Sequence, residues 1–163
     1  MSRSLPLWKR EKRSAPQELS NNQSENMKRD IISVVLGLTI AIIIFLIVET
    51  INASLHPLPT NFDYKDSIAV KAFYENQPLS MWVLVLAGWI IGSLLCGLLI
   101  KIISKNENRK MPLIAGIILT LSAVANFFSL PHPIWFIVVS LIVFIPSTLF
   151  GHKLYTVKTY GKQ

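Results

Sequence analysis

Five polar side chains that could bind a metal ion or transfer a proton lie at the ends of long apolar stretches of this 163-residue sequence. Glu49, Asn52 and His56 are spaced i, i+3 and i+7, which places them on one face of a helix. Asn126 and His132 bracket the end of a later apolar stretch. A carboxylate and two imidazoles can bind a divalent cation or move a proton. The alternative is structural: Glu49 and Asn126 hydrogen-bond between helices, and the histidines cap helix ends.

Other chemistries find less support in the sequence. The spacing of the five residues matches no recognised metal-binding motif, so no metal site is predicted. Gly88 and Gly92 lie within an apolar stretch, where they cannot form a phosphate-binding loop. No set of nucleophile, base and orienting group can be assembled, so the sequence predicts no catalytic residue and no cofactor. The single cysteine, Cys96, cannot form a disulfide within the chain.

The elements that must position these residues are four apolar stretches. Each is long enough to cross a hydrocarbon layer about 30 Å thick as a helix that rises 1.5 Å per residue. The hydrophobic content of 52% is also typical of membrane proteins. The sequence therefore predicts an all-α membrane protein with four transmembrane helices, which span about residues 30–52, 79–103, 111–130 and 133–151.

The basic residues predict the orientation of these helices. Of the sixteen Lys and Arg residues, seven lie in residues 1–30, four in 101–110 and three after residue 151, whereas the connection 49–78 has two. Basic residues resist translocation, so the basic side is predicted to be cytoplasmic. Both termini are then cytoplasmic, and residues 49–78 and the 131–132 turn lie outside. Because the net charge of +7 is explained in this way, no nucleic-acid partner is predicted.

Three regions follow from the composition. Residues 1–27 are polar and basic and predict a disordered cytoplasmic tail, residues 28–152 form the transmembrane domain, and residues 153–163 form a cytoplasmic C-terminal tail. The outer connection contains Thr60-Asn61-Phe62-Asp63, which has the form of a capping box. Tyr64, Ile68 and Ala72 follow at four-residue spacing. The connection is therefore predicted to contain a short amphipathic helix.

Small residues along the second span predict close helix packing. Gly88, Gly92 and Cys96 follow at four-residue spacing, Gly97 lies beside them, and Gly116 serves the same purpose in the third span. The surface they form could pack inside this bundle, or it could bind a second copy of the chain or another membrane protein. Trp82, Trp135 and Phe136 are predicted to belong to an aromatic belt at the outer boundary of the membrane.

Several of these residues resemble those of a group of small uncharacterised four-span bacterial membrane proteins. The resemblance covers roughly residues 30–152. It is carried by Glu49 at a helix end, by Gly88-Trp89 with Gly92 and Gly97, and by Asn126 before Pro131-His132-Pro133-Ile134-Trp135-Phe136. It implies a multi-pass protein of the bacterial inner membrane and implies no activity.

Three functions are compatible with the sequence. The first is an accessory, structural or interaction subunit of the inner membrane, which requires only the small-residue surface as a contact. The second is transport of a small solute, a proton or a metal by an oligomer. The third is an enzyme that acts on lipid or quinone at the outer face. The last two both require Glu49 to face the interior of the bundle.

Overall fold

A computed structural model describes residues 7–105 and 107–155 of the chain. These residues form five helices and no strand: α1 Leu7–Leu55, α2 Ser67–Glu75, α3 Leu79–Ser104, α4 Lys110–Ser129 and α5 Ile134–Leu154. All but α2 are long and apolar enough to cross a membrane. The prediction of an all-α chain with four such helices is confirmed.

Helix α1 is much longer than the predicted span of residues 30–52. It begins at Leu7, so residues 7–27 are helical, which differs from the disordered tail predicted for residues 1–27. A helix that is already nucleated gains one hydrogen bond for each residue it adds, and the Lys, Arg, Glu and Gln residues of this segment are good helix formers. Residues 1–6 and 156–163 of the two predicted tails lie outside the described residues.

The connection between α1 and α3 contains the short helix α2, but this helix begins later than predicted. Its N-cap is Asp66, whose side chain accepts hydrogen bonds from the backbone amides of Ile68 and Ala69 at 3.0 and 3.2 Å. Thr60 does not cap it, because Asn61 adopts a left-handed conformation with φ of 67° and the chain turns there. Pro78 directly precedes α3, and Pro133 directly precedes α5.

Helix α3 is the central helix and contacts α1, α4 and α5. Large apolar side chains on the outward faces of all four long helices are exposed, as expected for helices that contact lipid. Buried hydroxyl groups bond to their own helices: Ser93 donates to the Trp89 carbonyl at 2.6 Å, and Ser140 donates to the Phe136 carbonyl at 2.7 Å. The apolar interior therefore contains few unsatisfied polar groups.

The small residues of α3 pack against helices of the same chain. A Cβ atom at Gly88 would lie 2.8 Å from the Val48 methyl groups, and one at Gly92 would lie 2.5 Å from the Phe45 ring. A Cβ atom at Gly97 would overlap the Thr148 carbonyl of α5. Gly116 of α4 lies against Thr148 and Ile145 of α5, and Cys96 is fully buried. Of the two arrangements predicted for this surface, the structure shows packing inside the bundle.

The bundle has two chemically different ends. One end carries residues 56–78 and the turn between α4 and α5, and it is called the connection end below. At the opposite end the buried Lys101 forms an ion pair with the exposed Glu107. Arg29 there donates a hydrogen bond to the Ile103 carbonyl at 3.1 Å, which ties α1 to the last turn of α3.

Candidate functional site

A cavity of about 330 Å³ opens at the connection end of the bundle. It lies between the last turns of α1 and α4, the first turns of α3, helix α2 and the turn before α5. All five residues of the predicted polar cluster line it: Glu49, Asn52, His56, Asn126 and His132. The structure therefore brings together side chains that are separated by up to 83 positions in the sequence.

His56 and Asn52 form a fixed polar pair on the α1 side of the cavity. The Nδ1 atom of His56 lies 3.2 Å from the Asn52 carbonyl oxygen and 3.1 Å from its side-chain Oδ1 atom. A carbonyl oxygen only accepts hydrogen bonds, so Nδ1 is the donor in this pair. Asn52 is 5% exposed, so this pair is anchored in the bundle rather than in solvent.

His132 is held on the opposite side of the cavity by one hydrogen bond and three aromatic neighbours. Its Nδ1 atom donates to the Leu130 carbonyl at 2.7 Å. Its ring stacks on Phe136 with centroids 5.5 Å apart, and its other ring neighbours are Phe127 and Trp82. Burial lowers the pKa of His132, although the hydrogen bond to Leu130 acts in the other direction. The ring is therefore held in its neutral form, with Nε2 as an acceptor.

Among the described residues that line this cavity, Glu49 is the only acidic one and none is Lys or Arg. Its carboxylate makes no hydrogen bond or ion pair with residues 20–105 and 107–155, whose side chains the structure describes. Val48, the preceding residue, packs on Gly88. The absence of a side chain at Gly88 thus lets this turn of α1 lie close to α3, which places Glu49 at the cavity wall.

A second, smaller cavity of about 180 Å³ continues from Glu49 along the bundle. It is a cleft between α1 and α4, whose floor is formed by α3 and α5. It shares Glu49, Trp89 and Asn126 with the first cavity. Its other lining residues are mostly apolar: Phe45, Leu119, Ser122, Ala123 and Phe144. The two cavities therefore adjoin at Glu49, Trp89 and Asn126, and together they are called the elongated pocket below, with a polar end and an apolar end.

Aromatic side chains form much of the wall of the larger cavity. Trp82 and Trp89 come from α3, Phe73 and Tyr74 from α2, and Tyr64 from the segment before α2. Burial raises the pKa of Tyr74, and electrostatic interactions with Tyr64 and Glu49 raise it further, so its hydroxyl group is neutral. The phenol ring of Tyr74 lies 6.1 Å from the ring of Trp82.

The sequence prediction did not identify this aromatic wall. Trp82 and Phe136 are buried at 5% and 0% exposure, which corrects their assignment to an aromatic belt at the membrane boundary, whereas Trp135 is 39% exposed. The signal that could have revealed the wall is the seven-residue spacing of Trp82 and Trp89, which places both rings on one face of α3. Tyr74 carries no such signal, because its position depends on how α2 folds back over the bundle.

The structure adds little support for metal chemistry. Among the residues it describes, no group of three or more His, Cys, Asp and Glu side chains is arranged to hold a metal ion. The groups that do converge here are one carboxylate, two side-chain amides and two imidazoles. Such a set suits hydrogen bonding and attraction of a positive charge.

No known protein family, curated protein or solved structure matches this chain.

Proposed function

We propose that this chain is an integral membrane protein that binds a small ligand in the pocket at its connection end. In this proposal both termini are cytoplasmic, the connection end faces outward and α2 lies over the mouth of the pocket as an amphipathic helix. The membrane is the bacterial inner membrane. The distribution of the basic residues supports the orientation, and the resemblance of residues 30–152 to small bacterial membrane proteins supports the setting.

The observation that carries the proposal is the position of Glu49. Its carboxylate lines both cavities and has no hydrogen-bonding or ionic partner among the described residues. A carboxylate at a membrane boundary is costly unless it is paired, hydrogen-bonded or hydrated. Such a group persists where it serves a ligand, and a cavity of 330 Å³ falls within the size range of small-molecule sites.

An accessory or structural role has less support from this geometry. The small-residue surface predicted to bind a partner is already covered by α1 and α5 of the same chain. A second copy or another membrane protein would have to use an exposed apolar face instead. The face of α1 that carries Ile43, Leu46 and Ile47 is one such surface.

Transport of the bound ligand is the second candidate function. The apolar cleft extends the pocket from Glu49 into the bundle, as a translocation pathway would require. Farther along, Gly97 of α3 packs against the Thr148 backbone, and Gly151 of α5 packs against the Leu94 backbone. Transport would require these helices to separate. Covalent catalysis through Ser, Thr, Cys or Lys finds no support, because none of these residue types is among the described residues that line the larger cavity.

The proposal predicts that filling the larger cavity abolishes ligand binding. Val85 lines this cavity, whereas Val83 is 50% exposed on the outward face of the same helix. In detergent micelles, at least one member of a panel of cationic, neutral and anionic solutes should raise the melting temperature of the protein and of Val83→Trp. Near a hundredfold excess over Kd the rise should be about 5–10 °C. The same solute should leave the melting temperature of Val85→Trp unchanged.

Two results would overturn the ligand-binding proposal. In the first, no solute of any charge stabilises the protein. In the second, the stabilising solute acts equally on Val85→Trp and on Val83→Trp, because it then binds outside the cavity.

A further inference from the structure

The two ends of the elongated pocket have complementary chemistry. The larger cavity contains a carboxylate, aromatic faces and neutral hydrogen-bonding groups, and the cleft that continues from it is lined mainly by hydrocarbon and aromatic groups. Glu49, Trp89 and Asn126 belong to both. A ligand that fills both cavities would therefore be amphiphilic, with its polar part at the connection end.

The larger cavity favours a positive charge in that polar part. Among the described residues that line it, Glu49 is the only acidic one and none is Lys or Arg. His132 is neutral and presents an acceptor atom. An anionic head would meet the Glu49 carboxylate with no Lys or Arg among the described lining residues to balance it, at a cost in electrostatic free energy.

The aromatic wall favours an ammonium group over other cations. The negative faces of tryptophan and tyrosine rings attract alkylammonium groups, and sites for quaternary ammonium ligands are built from such rings. Trp82, Trp89 and Tyr74 all line the cavity that contains Glu49. A small metal cation would instead require several oxygen ligands, and the described residues of the cavity supply one carboxylate and two side-chain amides.

The cleft accounts for the other part of the ligand. It lies between α1 and α4, and Trp89 of α3 and Phe144 of α5 also line it. Phe45, Leu119 and Phe144 line it with apolar surface. A hydrocarbon chain can occupy this cleft while the head remains beside Glu49.

We propose that the pocket binds a cationic amphiphile, with its ammonium head between Glu49 and the aromatic wall and its hydrocarbon chain in the cleft between α1 and α4. This inference rests on the proposed ligand-binding function and names the class of ligand. The ammonium group could belong to a membrane lipid with an amine or quaternary ammonium headgroup, or to a free long-chain ammonium compound.

The test uses the full chain in micelles of dodecyl maltoside, which carries no charge and no ammonium group. Dodecyltrimethylammonium is titrated, and the fluorescence of the tryptophans is recorded, since Trp82 and Trp89 line the pocket. Glu49→Gln should weaken binding by at least tenfold. Glu75→Gln is the matched control: Glu75 is exposed on α2 and paired with Lys71, so its loss removes the same charge outside the pocket. Glu75→Gln should bind dodecyltrimethylammonium with the same affinity as the unmodified protein.

A second pair of variants tests the position of the hydrocarbon chain. Dodecyltrimethylammonium should bind at least tenfold more tightly than tetramethylammonium, because only the former reaches the cleft. Ser122 lines the cleft, whereas its neighbour Leu121 is 63% exposed and does not. Ser122→Phe should remove the advantage of the long chain, and Leu121→Phe should retain it.

The source of the ligand is distinguished by competition. Displacement of bound dodecyltrimethylammonium by phosphatidylethanolamine, but not by phosphatidylglycerol, supports a lipid headgroup. Retention in the presence of both lipids supports a free ammonium compound.

The cationic inference is overturned if dodecyl sulfate binds as tightly as dodecyltrimethylammonium, or if Glu49→Gln binds like Glu75→Gln. In either case, if Val85→Trp still prevents the binding of some other ligand, the proposed ligand-binding function remains supported and only the cationic class is wrong. If no probe binds and no solute stabilises the protein, both proposals fail.

Discussion

Glu49 and His132 line the same cavity, but the protein compensates their polarity in different ways. The ring of His132 has a hydrogen-bond acceptor in the Leu130 carbonyl, and aromatic rings surround it. The carboxylate of Glu49 has no such partner among the described residues. His132 therefore supports the architecture of the site, and Glu49 is the residue whose polarity calls for a ligand or water.

The environment of His132 predicts that the protein loses stability in acid. Because burial lowers the pKa of His132 from its ordinary value of 6.5, the unfolded chain binds a proton at a higher pH than the folded chain does. The stability linked to this residue is fully present above pH 6.5 and is lost as the pH falls through the folded-state pKa. We expect the melting temperature of the protein to fall over this range.

The matched variant for this prediction is His132→Gln, which cannot titrate but can still donate a hydrogen bond to Leu130. Its melting temperature should decrease less between pH 7 and pH 5 than that of the unmodified chain. An equal decrease in both proteins would show that other groups cause the acid sensitivity.

At the scale of the helices, the sequence predicted α3, α4 and α5 to within three residues at each end. Proline residues stand directly before α3 and α5, and the polar segment 104–110 separates α3 from α4. Local residue types therefore determine these helix boundaries. The extension of α1 to Leu7 and the start of α2 after Asp66 were not predicted. In these two segments the polar residues are compatible with helix and with loop. The predicted cap at Thr60 and the observed N-cap at Asp66 are both residue types that favour helix starts, so the sequence did not distinguish them.

The candidate site was predictable where it depends on helical periodicity. The spacing of Glu49, Asn52 and His56 places them on one face of α1. Because successive spanning helices run in opposite directions, α1 and α4 end on the same side of the bundle, which brings the turn with His132 to the connection end. The spacing of Trp82 and Trp89 could also have predicted their part of the aromatic wall, but Tyr74 and the cleft were not predictable in this way. The hydrophobic residues of α3 lie on all its sides, so hydrophobicity alone does not specify which face lines a cavity.

The reciprocal contact between α3 and α5 predicts which glycine is most sensitive to substitution. A Cβ atom at Gly97 would overlap the Thr148 backbone, which can move only if the whole helix moves. A Cβ atom at Gly92 would meet the end of the Phe45 side chain, which can rotate away. We therefore expect Gly97→Ala to reduce the free energy of unfolding by about 1–3 kcal/mol, and Gly92→Ala to reduce it less.

Thermal unfolding in detergent measures this difference, and Gly92→Leu provides the internal comparison. Leucine is too large for the space that rotation of Phe45 can provide, so this variant should be less stable than Gly92→Ala. An unchanged melting temperature for Gly97→Ala would mean that α3 and α5 do not pack through these glycines.

At the scale of the whole molecule, the pocket lies at one end of the bundle and most of the basic residues flank the helix ends on the other side. The connection end carries the pocket and only two of the sixteen Lys and Arg residues of the chain, Lys65 and Lys71. The opposite end carries Arg29, the ion pair of Lys101 with Glu107, and three further basic residues between 105 and 110. A ligand can enter the pocket from outside the cell or from the outer leaflet only if the connection end faces outward and the basic end faces the cytoplasm.

Reporter fusions test that orientation. Because translocating a segment rich in Lys and Arg is unfavourable, the basic end should remain in the cytoplasm and the connection end should cross the membrane. Fusions after residues 27, 107 and 160 should give a cytoplasmic signal, and a fusion after residue 65 should give an external one. Labelling of a cysteine introduced at Thr60, with Cys96 replaced by alanine, should be external in intact cells, which checks the result without a fusion. A cytoplasmic signal at residue 65 would place the mouth of the pocket inside the cell, so that any ligand would have to come from the cytoplasm or the inner leaflet.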